Sequence, residues 1–186
     1  HDMWAFTGGC HYSGDCENYK KACGHCKFLK TPGANDLSNE IWQKKKKMLE
    51  KSDIYFVTCS EWLANRARES SLLKNAKIVS IPNPIDTSLY YPRNRQKARE
   101  KLHLPANRKL ILFGAANIMD ERKGLNYLLQ ALKKLKEQNQ GLADTIDVIL
   151  FGKSDPDFVR QIPYRVHDRG LIQDVSELID LYSAAD

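Results

Sequence analysis

Lys109-Leu-Ile-Leu-Phe-Gly114, the loop Ala115-Ala-Asn-Ile-Met-Asp-Glu-Arg-Lys-Gly124 and the leucine-spaced run behind it decide how this chain folds. The first segment is short, apolar and closed by glycine, the pattern of a buried strand. Behind the loop, Leu125, Leu128, Leu129, Leu132 and Leu135 recur at helical spacing. They place one apolar stripe on an amphipathic helix. Ile146 to Phe151 is a second apolar strand, again closed by a glycine, Gly152. A strand-like segment follows. Asp174 with Glu177 three residues on reads as a capping box for a helix through Ala184, with Val175, Leu178, Ile179 and Tyr182 as its buried stripe. Strand, helix, strand, strand-like segment, helix is the alternation of a doubly wound parallel α/β sheet.

Upstream, the same alternation is weaker. Residues 1–35 form an irregular stretch in which Thr7-Gly8-Gly9 and Pro32-Gly33 mark turns. Asp36 can cap a helix over 36–51, with Leu37, Ile41, Met48 and Leu49 on one face. The Lys44–Lys47 run reads as a solvated face with one stem lying over the core. Its sharper alternative is contact with anionic lipid headgroups. Ile54 to Thr58 predicts a buried strand, and Ser60 caps a helix through about Ser70. Lys77 to Ile81 is the next strand, which the two prolines of Pro82-Asn83-Pro84-Ile85-Asp86 stop. Residues 87–108, with a basic helix from Gln96 to Leu102, read as a linker. The predicted organisation is therefore 1–86, a linker over 87–108, and a second unit over 109–186.

Composition narrows the classes. The chain has 186 residues, 42% hydrophobic and 28% charged, ordinary for a globular protein and wrong for a disordered one. No apolar run approaches the ~20 residues of a membrane span. The net charge of +6 suggests an anionic partner: nucleic acid, a lipid surface or a phosphorylated small molecule. His1 is not a methionine and Asp186 directly follows a helix. Both look like cut edges, so the chain is expected to be a fragment.

Cys10, Cys16, Cys23 and Cys26 are spaced C-x5-C-x6-C-x2-C, with His11 and His25 among them and Cys59 apart. Three states stay open: a structural zinc site on the four cysteines, a disulfide framework, or free thiols. The α/β character of the remainder favours zinc, since thiolates suit a tetrahedral ion and C-x2-C supplies two ligands from one turn. Cys59, after a strand, reads as a small buried apolar residue.

The loop from Gly114 to Gly124 carries the chemistry. It joins the end of a parallel strand to the start of a helix, where open α/β sheets bind ligands. Free N–H groups there favour an anion, and Arg122 and Lys123 add charge. The string is neither G-x-x-x-x-G-K-[ST] nor G-x-G-x-x-G. From the residues alone it is a phosphate or nucleotide site, or two cations decorating a solvated helix start.

These strings together resemble the retaining GT-B glycosyltransferases (glycosyltransferase group 1). His1-Asp2-Met3-Trp4-Ala5-Phe6-Thr7-Gly8-Gly9-Cys10-His11 resembles a branch that works in bacterial polysaccharide assembly. Pro82-Asn83-Pro84-Ile85-Asp86 is similar to the family's Pro-Asn-Gly-Ile-Asp segment before the domain linker. Arg122-Lys123-Gly124 is similar to its diphosphate-binding Arg-Lys-Gly, and Tyr182-Ser183-Ala184-Ala185-Asp186 to the opening of its nucleotide-binding core. The resemblance implies two Rossmann-like domains, a nucleotide-sugar donor on the C-terminal one, and a saccharide or lipid-linked acceptor on the N-terminal one. It implies that Arg122 and Lys123 hold the donor diphosphate and stabilise the leaving nucleotide without a catalytic metal. Gly114 would let the backbone approach the diphosphate, Asn117 and Gly124 would complete that site, and the backbone of Leu171 and Ile172 would hold the base. His1 would touch the transferred sugar.

The departures are specific. Asn117 stands where many members have arginine, and Asn83-Pro84 where they have Asn-Gly. The family's paired-glutamate segment falls beyond Asp186. The fragment is therefore expected to bind donor weakly and to turn over poorly or not at all. Two other functions compete: a nucleotide-sugar epimerase of the same architecture, and a zinc-containing nucleic-acid-binding module. Basic residues scattered over helices, with no RNA-binding signature, argue against nucleic acid. A cytoplasmic protein, with contact at the inner face of the membrane through its lysine run, is the expected setting.

Overall fold

The structure is a computed structural model that describes residues 1–186, without the side chains at 140 and 143. The chain divides into two compact units, His1–Ile85 and Asp86–Asp186.

In the first unit, α1 (Leu37–Leu49), β1 (Tyr55–Thr58), α2 (Glu61–Glu69) and β2 (Lys77–Ser80) follow the irregular N-terminal stretch. β1 and β2 pair in parallel, with Tyr55 opposite Lys77 and Thr58 opposite Ser80. Both helices start where a side chain satisfies their first N–H groups. Asp36 accepts from Ser38 and Asn39, and Ser60 from Leu63. The core gathers Met3, Phe6, Tyr19, Trp42, Leu63 and Leu73. Residues 1–35 are therefore a packed layer, in which two short 3-10 turns, Trp4–Phe6 and Asn18–Lys20, bring aromatic rings inward.

Two expectations are corrected here. The buried face of α1 is Ser38, Trp42 and Lys45, while Leu37 and Met48 are exposed. The covering layer is an irregular loop that presents backbone carbonyls as well as the apolar side chains of Met3 and Phe6. Lys45 reaches into it, donating to the carbonyl oxygens of Trp4 and, at 3.0 Å, Thr7. The lysine run thus loses one member to the interior, and Lys44, Lys46 and Lys47 remain outside. The second correction concerns β1, expected to be buried. Its Tyr55 and Val57 are exposed, because a two-stranded sheet covers little of itself.

The second unit contains α3 (Arg95–Lys101), β3 (Lys109–Asn117), α4 (Leu125–Gln138), β4 (Ile146–Lys153), the single turn α5 (Pro156–Val159), β5 (Arg165–Asp168) and α6 (Val175–Ala184). The strands are all parallel in the order β3-β4-β5. Central β4 buries Val148, Ile149 and Leu150 completely. Leu125, Leu129 and Leu132 of α4 pack on one side of the sheet, with Val148 and Leu150. On the other side Ala98, Leu102 and Leu104 join Ile149, Leu181 and Ala184. Residues 87–108, read above as a linker, therefore give the second unit one layer of its core.

α6 is rotated from the predicted stripe. Ile179, Asp180, Leu181 and Ala184 are buried, and Val175 and Tyr182 are exposed. Arg93 and Lys101 clamp the buried Asp180 carboxylate from two sides, each at 2.6 Å, and set that rotation. Asp174 caps α6 through Ser176, but Glu177 turns away to Arg169 at 2.9 Å, so the capping box is only half made. Asp147, fully buried in β4, is held by Arg108 and by His167 Nε2 at 2.7 Å. Among the described residues no helix is long and apolar enough to cross a membrane.

Candidate functional site

β3 does not stop at Gly114. It continues to Asn117, with its register against β4 irregular between those two residues. Ile118, completely buried, anchors the strand's exit, and its N–H donates to Lys153 at 3.1 Å. The Asn117 side chain then accepts from the Met119 N–H, and Asp120 accepts from that of Arg122. Asp120 thereby caps a 3-10 turn, Glu121–Lys123, which ends at Gly124 with φ +83°. That conformation favours glycine and lets α4 begin at once.

The start of α4 differs from every other α-helix in the chain. Asp36, Ser60, Asn94, Asp155 and Asp174 each cap their helix with a side chain. Among the described residues no side chain caps α4. The positive end of its dipole therefore lies, without a side-chain cap, at the C-terminal edge of a parallel sheet; Leu125 is buried there and the Tyr127 N–H donates to the Gly124 carbonyl oxygen at 3.0 Å. Lys123 stands exposed one residue before its N-cap, Gly124. Arg122 is half-exposed and grips Asp120 with two nitrogens, at 3.0 and 2.5 Å. The Arg122 guanidinium in turn holds the Asp120 carboxyl below the usual carboxylate range.

Gly170, Leu171 and Ile172 follow β5, so they reach the same edge of the sheet as Asn117 and residues 122–124. Leu171 is exposed, and Ile172 packs against the core cluster that includes Leu110, Ile149 and Leu181. Gly170, at φ +60°, accepts from the Gly152 N–H at 2.6 Å. Gly114 has another explanation than the one expected. A Cβ there would lie 2.1 Å from the Phe151 ring, so its small size makes room for that ring. Gly152 is more constrained: φ is +115°, and a Cβ would fall 1.7 Å from the Ala115 carbonyl oxygen. It locks the ends of β3 and β4 together; the sequence marks it only as the glycine that closes the strand, whereas β4 runs on to Lys153. Asp120 was also missed, although an acid two residues before Arg122 is visible there. His1 is exposed and belongs to the first unit.

The five cysteines are all unpaired, with Cys23 buried and the others partly so. Cys59 packs at the margin of the first unit's core. Cys10, Cys16, Cys23 and Cys26 line one small cavity. Among the described residues no three His, Cys, Asp or Glu side chains stand close enough to hold a metal ion. Burial pushes the Cys23 thiol up to about 11. His11 turns instead to Asp2, its Nδ1 at 2.6 Å from the carboxylate.

No family model matches this chain, and no curated protein matches it either.

Proposed function

We propose that the second unit binds the diphosphate of a nucleotide-sugar at the start of α4, and that the chain serves a retaining GT-B glycosyltransferase. The acceptor would be a saccharide or lipid-linked saccharide of cell-surface polysaccharide assembly. One observation carries the binding step: the uncapped N-terminus of α4, with Lys123 beside it, at the C-terminal edge of three parallel strands. The ordered resemblance of the strings around His1, Pro82, Arg122 and Tyr182 supports the transfer chemistry.

The mechanism follows from where charge develops. When the bond from sugar to diphosphate breaks, negative charge builds on the leaving nucleotide. Lys123 and the first N–H groups of α4 would stabilise that charge more than the ground state, which lowers the barrier. Arg122 offers a planar fork for phosphate oxygens. Asp120 holds that fork and would compete for it with an incoming diphosphate. Leu171 and Ile172 would offer backbone groups to the base.

Calorimetric titration of the chain with UDP, GDP and ADP tests the binding step. Lys123→Ala should weaken binding of the preferred nucleotide about tenfold, the loss of one charge-assisted hydrogen bond. Asp120→Asn keeps an acceptor for the turn but removes the competing charge, so it should tighten binding several-fold, less so at high salt. Equal affinity in wild type and Lys123→Ala would refute the site. Transfer of label from nucleotide-sugars to a saccharide acceptor tests the chemistry; donor conversion without acceptor would favour an epimerase instead.

A further inference from the structure

The glycosyl-transfer reading leaves four cysteines without a task. We propose that Cys10, Cys16, Cys23 and Cys26 bind one zinc ion as a tetrathiolate that fastens the N-terminal loop onto α1.

The cavity itself is the first argument. All four residues line it, together with Gly8, Tyr19 and Ser38 among others, and its volume is about 20 Å³. That is room for a single water or ion. Its wall offers almost no polar surface, which gives a water few strong partners, while four thiol groups of the kind a soft cation prefers line it.

The second argument is the backbone around it. Gly24, at φ +150°, and His25, at φ +48°, turn the Cys23-Gly-His-Cys26 segment tightly. α1 fixes that turn from outside: Asn39 Nδ2 donates to the Cys23 carbonyl oxygen at 2.6 Å, and Asp36 accepts from the Cys26 N–H at 2.8 Å. The Gly8 N–H donates to Cys23 Sγ at 3.1 Å, a contact that favours a thiolate. A Cβ on Gly8 would lie 2.3 Å from the Ser38 carbonyl oxygen and 2.7 Å from Cys23 Cβ. Only glycine lets that amide reach the sulfur.

Charge is the third. Four thiolates around one divalent ion carry a net charge of −2, costly in an apolar wall. Lys45 places its ammonium in the same layer, bonded to the Thr7 carbonyl and over the Trp4 ring at 3.7 Å.

As the sulfurs stand, no three converge within ligating distance. Binding must therefore draw them inward to about 2.3 Å from the ion. The balance is simple: four thiols lose four protons, four sulfur–zinc bonds form, and no electron moves. Metal affinity should consequently fall steeply with acid.

The test uses the full chain, purified without chelator under reducing conditions. Elemental analysis should find one zinc per chain, and cobalt(II) in its place should show intense sulfur-to-metal charge-transfer absorption. A thiol reagent should label one cysteine, Cys59, in the native protein, and all five after chelation and denaturation. Cys16→Ser and Cys26→Ser should lose the metal, and Cys59→Ser should keep it. Should the serine variants fail to fold, the cobalt spectrum of the wild-type chain still decides. Metal-free protein with five reactive thiols would overturn the proposal, as would two disulfides found by mass after purification without reductant.

Discussion

The two units solve the same problem, a parallel sheet, in different ways. In the second, β4 lies between β3 and β5, with α4 on one face and α3 and α6 on the other. Asp147, Val148, Ile149 and Leu150 lose all contact with solvent. In the first, β1 and β2 form a sheet of two strands among the described residues, and Tyr55 and Val57 stay 66% and 55% exposed. A parallel strand is buried only when strands flank it and layers cover both faces. The first unit therefore draws its stability from elsewhere: Met3, Phe6 and Tyr19, from an irregular loop, pack against Trp42, Leu63 and Leu73 from or just beyond its helices.

That contrast can be broken by mutation. The largest effect is expected at Asp147. Asp147→Ala removes the buried carboxylate that neutralises Arg108, leaving that guanidinium only carbonyl partners such as those of Asp144 and Ile146, and takes the Asp147 partner from His167; it should cost about 3–5 kcal/mol. Hydrogen exchange at β4 amides would measure it, and unchanged protection would show that the central strand does not depend on its charge cluster. Next comes Ile149→Ala, at about 2–5 kcal/mol by the same assay.

A third prediction sharpens the contrast through pH. Asp36 accepts from the backbone N–H groups of Cys26, Gly33, Ser38 and Asn39 and from the Ser38 hydroxyl. These donors, the Cys26 amide first, hold its carboxyl well below the usual carboxylate range. Its contribution is therefore present above the unfolded value near 4, and is lost as pH falls toward the folded one. Acid should weaken protection of α1 amides in the wild type more than in Asp36→Asn. The smallest effect belongs to Val57→Ala, expected to stay within about 0.5 kcal/mol in chemical denaturation. A larger loss there would mean that β1 is covered in solution.

What could be read in advance follows interaction range. Ser60 and Asp36 announce α2 and α1 because capping is settled within three residues. The leucine stripe of α4 announces its buried face, since Leu125, Leu129 and Leu132 pack as their spacing requires. α6 resisted the same logic. Its four apolar positions mark one face, yet Arg93 and Lys101, some eighty residues upstream, pull Asp180 inward and turn the helix. For the candidate site, Arg122 and Lys123 were legible as cations at a strand-to-helix turn. The grip of Asp120 on Arg122 and the missing cap on α4 were not, because both depend on how the turn closes.

By itself the sequence determined the alternation of parallel strands and helices, the position of most caps, and the basic turn after β3. Periodicity and capping are local, so residues a few positions apart settle them. Tertiary structure decided which faces are covered, that Lys45 goes inside, that Gly114 serves Phe151, and that four cysteines share one cavity. Those outcomes depend on volume and charge supplied by partners distant along the chain, and no local pattern carries them.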